Sequence, residues 1–201
     1  MKRLQLVCTE HVDGREVFFA NANHPEASAL RALVASEVAR PAPPTADDEL
    51  TKRQLVALGA PLRGADPVAV EDADRVTVLA KGMSLARRDP VVARALPLCV
   101  WRSREFLTAR DLVEVLPAPA DRHVAGFFLE LTSELGNDRR LLGVAESLRD
   151  RRMTAVQPFF QVPTTSRHPA TRSFPLAEKW GFSMNVDLAA FRSLFEKFST
   201  Q

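Results

Sequence analysis

The sequence predicts a mainly α fold with a small N-terminal β-hairpin, and three observations lead to this fold class. Two short, β-rich apolar runs, residues 4–8 and 16–20, flank Asp13-Gly14, and glycine tolerates the positive φ that a tight hairpin turn requires. Residues 41–46 are rich in proline and form a stiff, extended linker. Residues 47–201 carry apolar side chains at helical spacing in several windows. We therefore expect a hairpin and helix over 1–40, a linker at 41–46 and a helical domain over 47–201.

Composition places the chain among ordinary folded proteins. Hydrophobic residues make up 46% and charged residues 26% of its 201 residues, so the chain can build its own core without a metal or a disulfide. The 27 Lys and Arg nearly balance the 25 Asp and Glu, which leaves a net charge of +2 and does not by itself predict a polyanionic partner. Cys8 and Cys99 lie among apolar neighbours, which favours small core residues.

No apolar stretch is long enough for a secretory signal or a membrane span. We therefore expect a cytoplasmic protein with no membrane partner.

The first half of the helical domain divides at its prolines and acidic residues. Helices are predicted from Asp47 to Gly59 and from Asp72 to Arg88. Asp89-Pro90 starts a short helix to Ala95, and Pro97 is expected to end it. Residues 98–101 are a buried strand or the apolar end of a helix, and periodicity alone does not decide between them.

The second half contains the clearest helical pattern of the chain. Thr108 is the predicted N-cap of a helix from Ala109 to Leu116. Asp121 is expected to begin a longer helix that runs to Leu135, with Gly136 as its C-cap. The remaining expectations are a helix starting at Asn137 or Asp138, an ordered loop over 153–174 anchored by Phe159, Phe160 and Val162, and a last helix from about Val186 to Phe198.

The N-terminal segment has the parts of a known DNA-binding element. Residues 6–25 give a strand, a turn at Gly14-Arg15, a second strand rich in Phe, and a helix start between Asn23 and Pro25. In this order they resemble the wing and the following helix of winged helix-turn-helix regulators. The likeness is greatest to the ArsR-like modules that head bacterial nucleotidyltransferase-type and antitoxin-type proteins. The resemblance covers about forty residues and implies that Arg15 would lie against DNA phosphate, with Lys2 and Arg3 nearby.

That family reads DNA through a recognition helix that precedes the wing. Only Met1 to Arg3 precede the first apolar run here. A winged-helix DNA-binding regulator, shortened at its N-terminus, is therefore the alternative interpretation and DNA the alternative partner.

A second basic cluster lies in the helical domain. Five arginines near one predicted helix are followed by two phenylalanines in the loop, which suggests a docking surface for a partner protein, an acidic partner or a nucleic acid. The alternative is that these arginines only complement a helix dipole and contact solvent. The residues are Arg139, Arg140, Arg149, Arg151, Arg152, Phe159 and Phe160.

The sequence shows no recognisable catalytic or cofactor motif. Its histidines, His11, His24, His123 and His168, do not pair at ligand spacing. No GxSxG, GxGxxG or Walker pattern occurs. Glu130 and Glu134 share a helical face, which we expect to be solvated. We therefore predict no metal, no cofactor and no enzymatic activity.

These observations favour a non-catalytic regulatory or interaction protein. Its helical domain would bind a partner protein, in an antitoxin-like or immunity-like role suggested by the wing-like N-terminus. The helix around residues 126–131 is also faintly similar to the helical C-terminal parts of abortive-infection antitoxins. A homodimer is compatible with the sequence.

Overall fold

A computed structural model describes residues 44–150, 155–161, 175–184 and 186–199, together with the backbone of two N-terminal strands. The chain divides into two compact units, Met1–Ala42 with Pro163–Arg167 and Pro43–Val162 with His168–Gln201. Its described residues are mainly helical, which confirms the predicted class. None of the helices within these ranges combines the length and the apolarity needed to cross a bilayer.

The first unit contains two antiparallel strands, β1 (Val7–Val12) and β2 (Arg15–Ala20). Their register runs from Val7 opposite Ala20 to Val12 opposite Arg15. The predicted turn at residues 13–14, the helix predicted after residue 25, and Lys2 and Arg3 lie outside the described residues. The winged-helix resemblance of this segment therefore stays a prediction.

The second unit contains eight α-helices in its described part. In chain order they are α1 (Ala46–Ala57), α2 (Arg75–Ala86), α3 (Pro90–Arg102), α4 (Ala109–Val115), α5 (Pro119–Gly136), α6 (Arg139–Ser147), α7 (Pro175–Lys179) and α8 (Leu188–Phe198). Short 3₁₀ helices, Asp72–Asp74 and Arg104–Phe106, lie before α2 and α4. Two very short strands, β3 (Gln157–Pro158) and β4 (Phe182–Ser183), pair in parallel and were not predicted.

Helix starts agree well with the predicted caps because a cap bond joins residues close in sequence. Asp89, Thr108 and Asp138 each accept hydrogen bonds from backbone N–H groups at the start of α3, α4 and α6. The start of α1 differs by one residue from the prediction, because Thr45 and Asp48 form a reciprocal capping box there. The backbone N–H of Thr45 in this box holds the pKa of Asp48 below its usual value.

Pro97 lies inside α3, so the predicted break after Ala95 is wrong. Proline removes the N–H that would bond to the carbonyl of Ala93, a loss of about 3 kcal/mol in a helix interior. Every residue from Val92 to Val100 except Arg94 is buried. Burial of this face offsets the missing hydrogen bond, and residues 98–101 are consequently helical rather than a strand.

The ends of α5 also differ from the prediction. The helix begins at Pro119, two residues before Asp121, because proline's fixed φ suits a first helical position. It ends at Gly136, and Asn137 rather than Gly136 adopts the left-handed C-cap conformation with φ of 54°. Gly136 is required for space, since a Cβ there would collide with the ring of Trp101.

The central element of the helical unit is α5, which contacts α2, α3, α4, α6 and α7. All of its residues from His123 to Ser133 are buried. Phe127 and Phe128 on α5 meet Phe159 and Phe182, and the ring centroids of this aromatic cluster lie 5.1 to 6.1 Å apart. The edge-to-face geometry of several of these pairs favours a single, specific packing.

The segment 157–161 is held firmly against this core. The N–H of Phe159 donates to the carbonyl of Ser183 at 2.8 Å, and Nε of the buried Arg87 donates to the carbonyl of Phe159 at 3.2 Å. The N–H of Gln161 donates back to the carbonyl of Arg87 at 2.8 Å. Phe159 and Phe160 therefore serve as the predicted apolar anchors, whereas Val162 lies outside the described residues.

Trp180 is wholly buried over α5, and Gly126 provides the space for it. A Cβ at Gly126 would collide with the Trp180 ring. Gly143 in α6 offers a matched comparison, because nothing lies near the position of its missing Cβ.

We expect Gly126→Ala to lower the free energy of unfolding by about 1–3 kcal/mol, as overpacking of a core does. Gly143→Ala should instead raise it by up to about 1 kcal/mol, because alanine favours a helix over glycine. Urea denaturation of both variants measures the two changes. Equal effects of the two substitutions would contradict the packing of Trp180 on Gly126.

Candidate functional site

Glu130, in the middle of α5, is the buried centre of a polar cluster that extends to the surface. Trp180 Nε1 donates to its Oε2 at 2.8 Å, and Lys179 Nζ donates to its Oε1 at 2.6 Å. Lys179 also donates to Oε1 of Glu146 on α6 at 2.6 Å. Glu130 is only 7% exposed, so the prediction of a solvated face is wrong for this residue. We name Glu130, Glu146, Lys179 and Trp180 the Glu130 cluster.

The charges of the Glu130 cluster shift the pKa values of its members and neighbours. Burial alone would lower the pKa of Lys179, but hydrogen bonds to Glu130 and Glu146 outweigh this effect and raise it. Glu134 lies one turn after Glu130, and its partial burial and the charge of Glu130 raise its pKa. Lys179 is thus held as a cation between two carboxylates.

His123 connects the start of α5 with two other segments. Its Nε2 accepts the backbone N–H of Asp150 at 3.0 Å, and its Nδ1 lies 3.3 Å from the carbonyl oxygen of Trp180. Nε2 also lies 3.2 Å from the carbonyl oxygen of Asp150, so each ring nitrogen is within hydrogen-bonding distance of a backbone carbonyl. The ring also meets Trp180 edge-on at 5.5 Å between centroids.

These contacts give the Glu130 cluster and His123 a structural role. Glu130 and His123 join α5 to the segment containing α7, Trp180 and β4 and to the residues after α6. The bond from Lys179 to Glu146 joins α7 to α6. The polar atoms already have partners within the fold, so they position that segment. A groove on the surface is better suited to binding a partner than this cluster is.

An open groove of about 480 Å³ lies between α3 and α8. Its floor consists of buried or half-buried residues from the two helices and from the segment after α1, namely Pro61, Leu62, Ala95, Ala190 and Leu194. Its rim consists of four exposed residues, Val91, Arg94, Ser193 and Lys197. We name it the α3–α8 groove.

Both walls of the groove are fixed to the core. Phe191 and Phe195 of α8 are buried, and Phe195 meets the Trp101 ring of α3 edge-on at 5.8 Å. Arg102, at the end of α3, donates to the carbonyl of Phe198 at 3.1 Å. The two helices that form the groove are therefore held in place by contacts with the core and with each other.

The rim of the groove combines an exposed apolar residue with two cations. Val91 is 53% exposed. Arg94 donates only to the carbonyl of Pro90 at 3.4 Å, and Lys197 Nζ lies 5.4 Å from the centre of the Phe198 ring. Within the described part of the chain neither cation pairs with a carboxylate. The groove thus presents apolar surface beside two charges that no acidic side chain neutralises there.

The predicted arginine surface is divided by the structure. Arg139 and Arg140 are exposed in the first turn of α6, and Arg149 is exposed just beyond its end. The helix rises about 12 Å from Arg139 to its last residue, Ser147, so the two sites lie at opposite ends of α6. Arg140 pairs with Glu105 at 2.7 Å, and Arg149 lies 3.9 Å from Glu146. The arginines are therefore not one cluster, and their role in partner binding stays a prediction.

The other predicted site residues have different outcomes. Phe159 is 0% exposed and belongs to the aromatic core, so its proposed place in a docking surface is corrected. Phe160 is half-buried against Phe159, with 5.1 Å between ring centroids. Arg151 and Arg152 lie outside the described residues, and only the backbone of Arg15 is described.

No cluster of three His, Cys, Asp or Glu side chains that could hold a metal ion occurs within the described ranges. Cys99 is buried in the core as predicted, and this burial raises the pKa of its thiol to about 12. No protein-family model, curated protein or solved structure matches the chain.

The sequence contains a signal for the groove in the spacing of its charged residues. Arg94 and Lys197 have no acidic residue three or four positions away in the sequence, so neither can form an ion pair along its own helix. Glu130 also had a signal, because it is surrounded by the apolar run of residues 124–131.

We expect Glu130→Leu to lower the free energy of unfolding by about 2–3 kcal/mol, because it leaves the buried Trp180 N–H without an acceptor. Glu130→Gln retains an acceptor and should lose about 1 kcal/mol. Glu146→Gln leaves Lys179 bonded to Glu130 and should lose less than about 1 kcal/mol, as solvent-screened pairs do. Urea denaturation at neutral pH measures the series, and a Glu130→Leu protein as stable as the wild type would contradict the structural role.

Proposed function

We propose that this chain is an interaction protein whose helical unit binds a partner protein in the α3–α8 groove. The observation that carries the proposal is the combination of an apolar floor with an exposed Val91 at the rim. Exposed apolar surface beside polar residues is typical of protein-binding sites. Among the described residues, no element of the fold covers this surface.

The exposure of the rim favours a macromolecular partner over a small ligand. Small-molecule sites usually bury 70–90% of the ligand's surface, by the common range for such pockets. The α3–α8 groove is bordered by four exposed residues and would leave one side of a small ligand in solvent. A segment of a larger protein would cover that side with its own chain.

An antitoxin-like or immunity-like role is the narrowest form of this proposal. It is supported by the resemblance of the first forty residues to modules that head antitoxin-type proteins. In such a role the chain would form a stable complex with a product encoded beside it.

Co-expression with the products of the adjacent genes tests the proposal. We expect the wild type and Val156→Asp to co-purify with one of them and Val91→Asp to lose it. Both valines are exposed, and Val91 is near the start of α3, where a carboxylate is tolerated. Thermal unfolding should show that both variants fold.

The outcome that contradicts the proposal is a chain that purifies without any of these products. Retention of the partner by Val91→Asp would place the binding surface elsewhere, for example at Arg139 and Arg140.

The second candidate function is DNA binding by the N-terminal unit. The antiparallel pairing of β1 and β2, with Arg15 in the last pair of the ladder, supports it. We expect a mobility shift of duplex DNA at low salt that weakens steeply at higher salt, because released counterions drive such binding. Arg15→Glu should reduce it, and the absence of a shift at low salt would contradict this candidate.

A further inference from the structure

We propose that the α3–α8 groove recognises an apolar–acidic segment of the partner protein, in which Asp or Glu residues flank apolar side chains. This inference rests on the proposed function and adds the chemistry of the segment that binds. Its apolar side chains would cover the floor around Leu62, Ala95 and Leu194. Its carboxylates would bind Arg94 on α3 and Lys197 on α8.

Some cations of the helical unit are paired with carboxylates, and others are not. Several exposed or half-exposed cations are paired with carboxylates: Lys52 with Glu49 and Asp89, Arg75 with Asp72, Lys81 with Asp47, Arg88 with Asp48, and Arg140 with Glu105. Arg94 and Lys197 have no such partner among the described residues, and the same is true of other exposed arginines such as Arg53 and Arg110. What distinguishes Arg94 and Lys197 is that both border the same groove. Their charges are therefore available to an incoming anion.

The position of the two cations selects the class of partner. They stand on opposite walls of a groove whose floor is apolar. Arginine binds a carboxylate through two parallel hydrogen bonds, and charge complementarity of this kind determines specificity more than affinity. A segment with apolar residues alone would leave both cations unmatched.

The apolar floor also argues against a nucleic acid. Binding to a phosphate backbone depends on many cation–phosphate contacts, whereas this groove offers two cations. Leu62, Val91 and Leu194 would face a strongly hydrated backbone without gaining contacts. A protein segment can both cover the apolar floor and pair with the two cations.

Three synthetic peptides test the inference with the full chain. The first has Leu on one face and Glu on the other at the spacing of an amphipathic helix. The second has Gln in place of Glu, and the third has Lys in place of Glu. Fluorescence anisotropy measures their binding. We expect the Glu peptide to bind about tenfold more tightly than the Gln peptide, since two exposed ion pairs contribute roughly that factor.

Charge reversal at the groove provides the decisive comparison. The double variant Arg94→Glu with Lys197→Glu should lose the preference for the Glu peptide and bind the Lys peptide more tightly. The matched control is Arg53→Glu with Arg110→Glu, which changes the net charge equally at exposed helix positions outside the groove. The control should keep the wild-type order of affinities.

Several outcomes would overturn the inference. Equal affinity for the Glu and Gln peptides, while Val91→Asp still abolishes co-purification, means that the groove binds its partner by apolar contacts alone. In that case the inference fails and the proposed function stands. Absence of both peptide binding and a co-purified partner would overturn both. Loss of Glu-peptide binding in the control pair would mean that the preference is a non-specific charge effect, and the inference would be wrong.

A single-stranded oligonucleotide and vesicles of anionic lipid serve as polyanion probes. If either binds more tightly than the Glu peptide and depends on Arg94 and Lys197, the groove recognises a different class of partner and the inference is wrong. Binding of the Glu peptide without comparable binding of these probes supports it.

Discussion

The packing of Trp180 on α5 is the constraint on which the helical unit depends. Its ring occupies the space above Gly126, and its Nε1 donates to the buried carboxylate of Glu130. A buried carboxylate is costly unless its oxygens are bonded, and here each oxygen of Glu130 has a donor from the same short segment, at Lys179 or Trp180. The packing of the Trp180 ring and the hydrogen bonds to Glu130 therefore favour the same placement of the segment that contains Lys179 and Trp180. An alternative packing would lose both contributions together.

How far the fold follows from the sequence depends on the distance between interacting residues. Caps at Asp89, Thr108 and Asp138 were predictable, because the bonds that they make lie within three residues. The helix through Pro97 was not, because its continuation depends on burial against other elements. The parallel pairing of β3 with β4 joins residues about twenty-five positions apart and has no local signal.

The candidate sites follow the same rule. Glu130 and Glu134 are four residues apart on one helix, yet one is buried and the other is exposed, because Lys179 and Trp180 reach only the first. Arginines that are close in sequence occupy opposite ends of α6. Phe159 is held in the core because its backbone N–H and carbonyl bond to Ser183 and Arg87, which are distant in sequence. The α3–α8 groove combines residues from positions 61 to 197. The sequence indicates only that Arg94 and Lys197 cannot form an ion pair along their own helices and that Glu130 lies within an apolar run.

The groove and the Glu130 cluster are built by different contacts, and this separation matters for function. The wall formed by α8 is held by Phe195 against Trp101 and by Arg102 at the carbonyl of Phe198. None of these residues belongs to the Glu130 cluster. A segment that binds between α3 and α8 would meet helices already ordered by their own core contacts, so little backbone entropy is lost on the side of this chain. The apolar floor can then contribute most of the affinity, while Arg94 and Lys197 select among segments by charge.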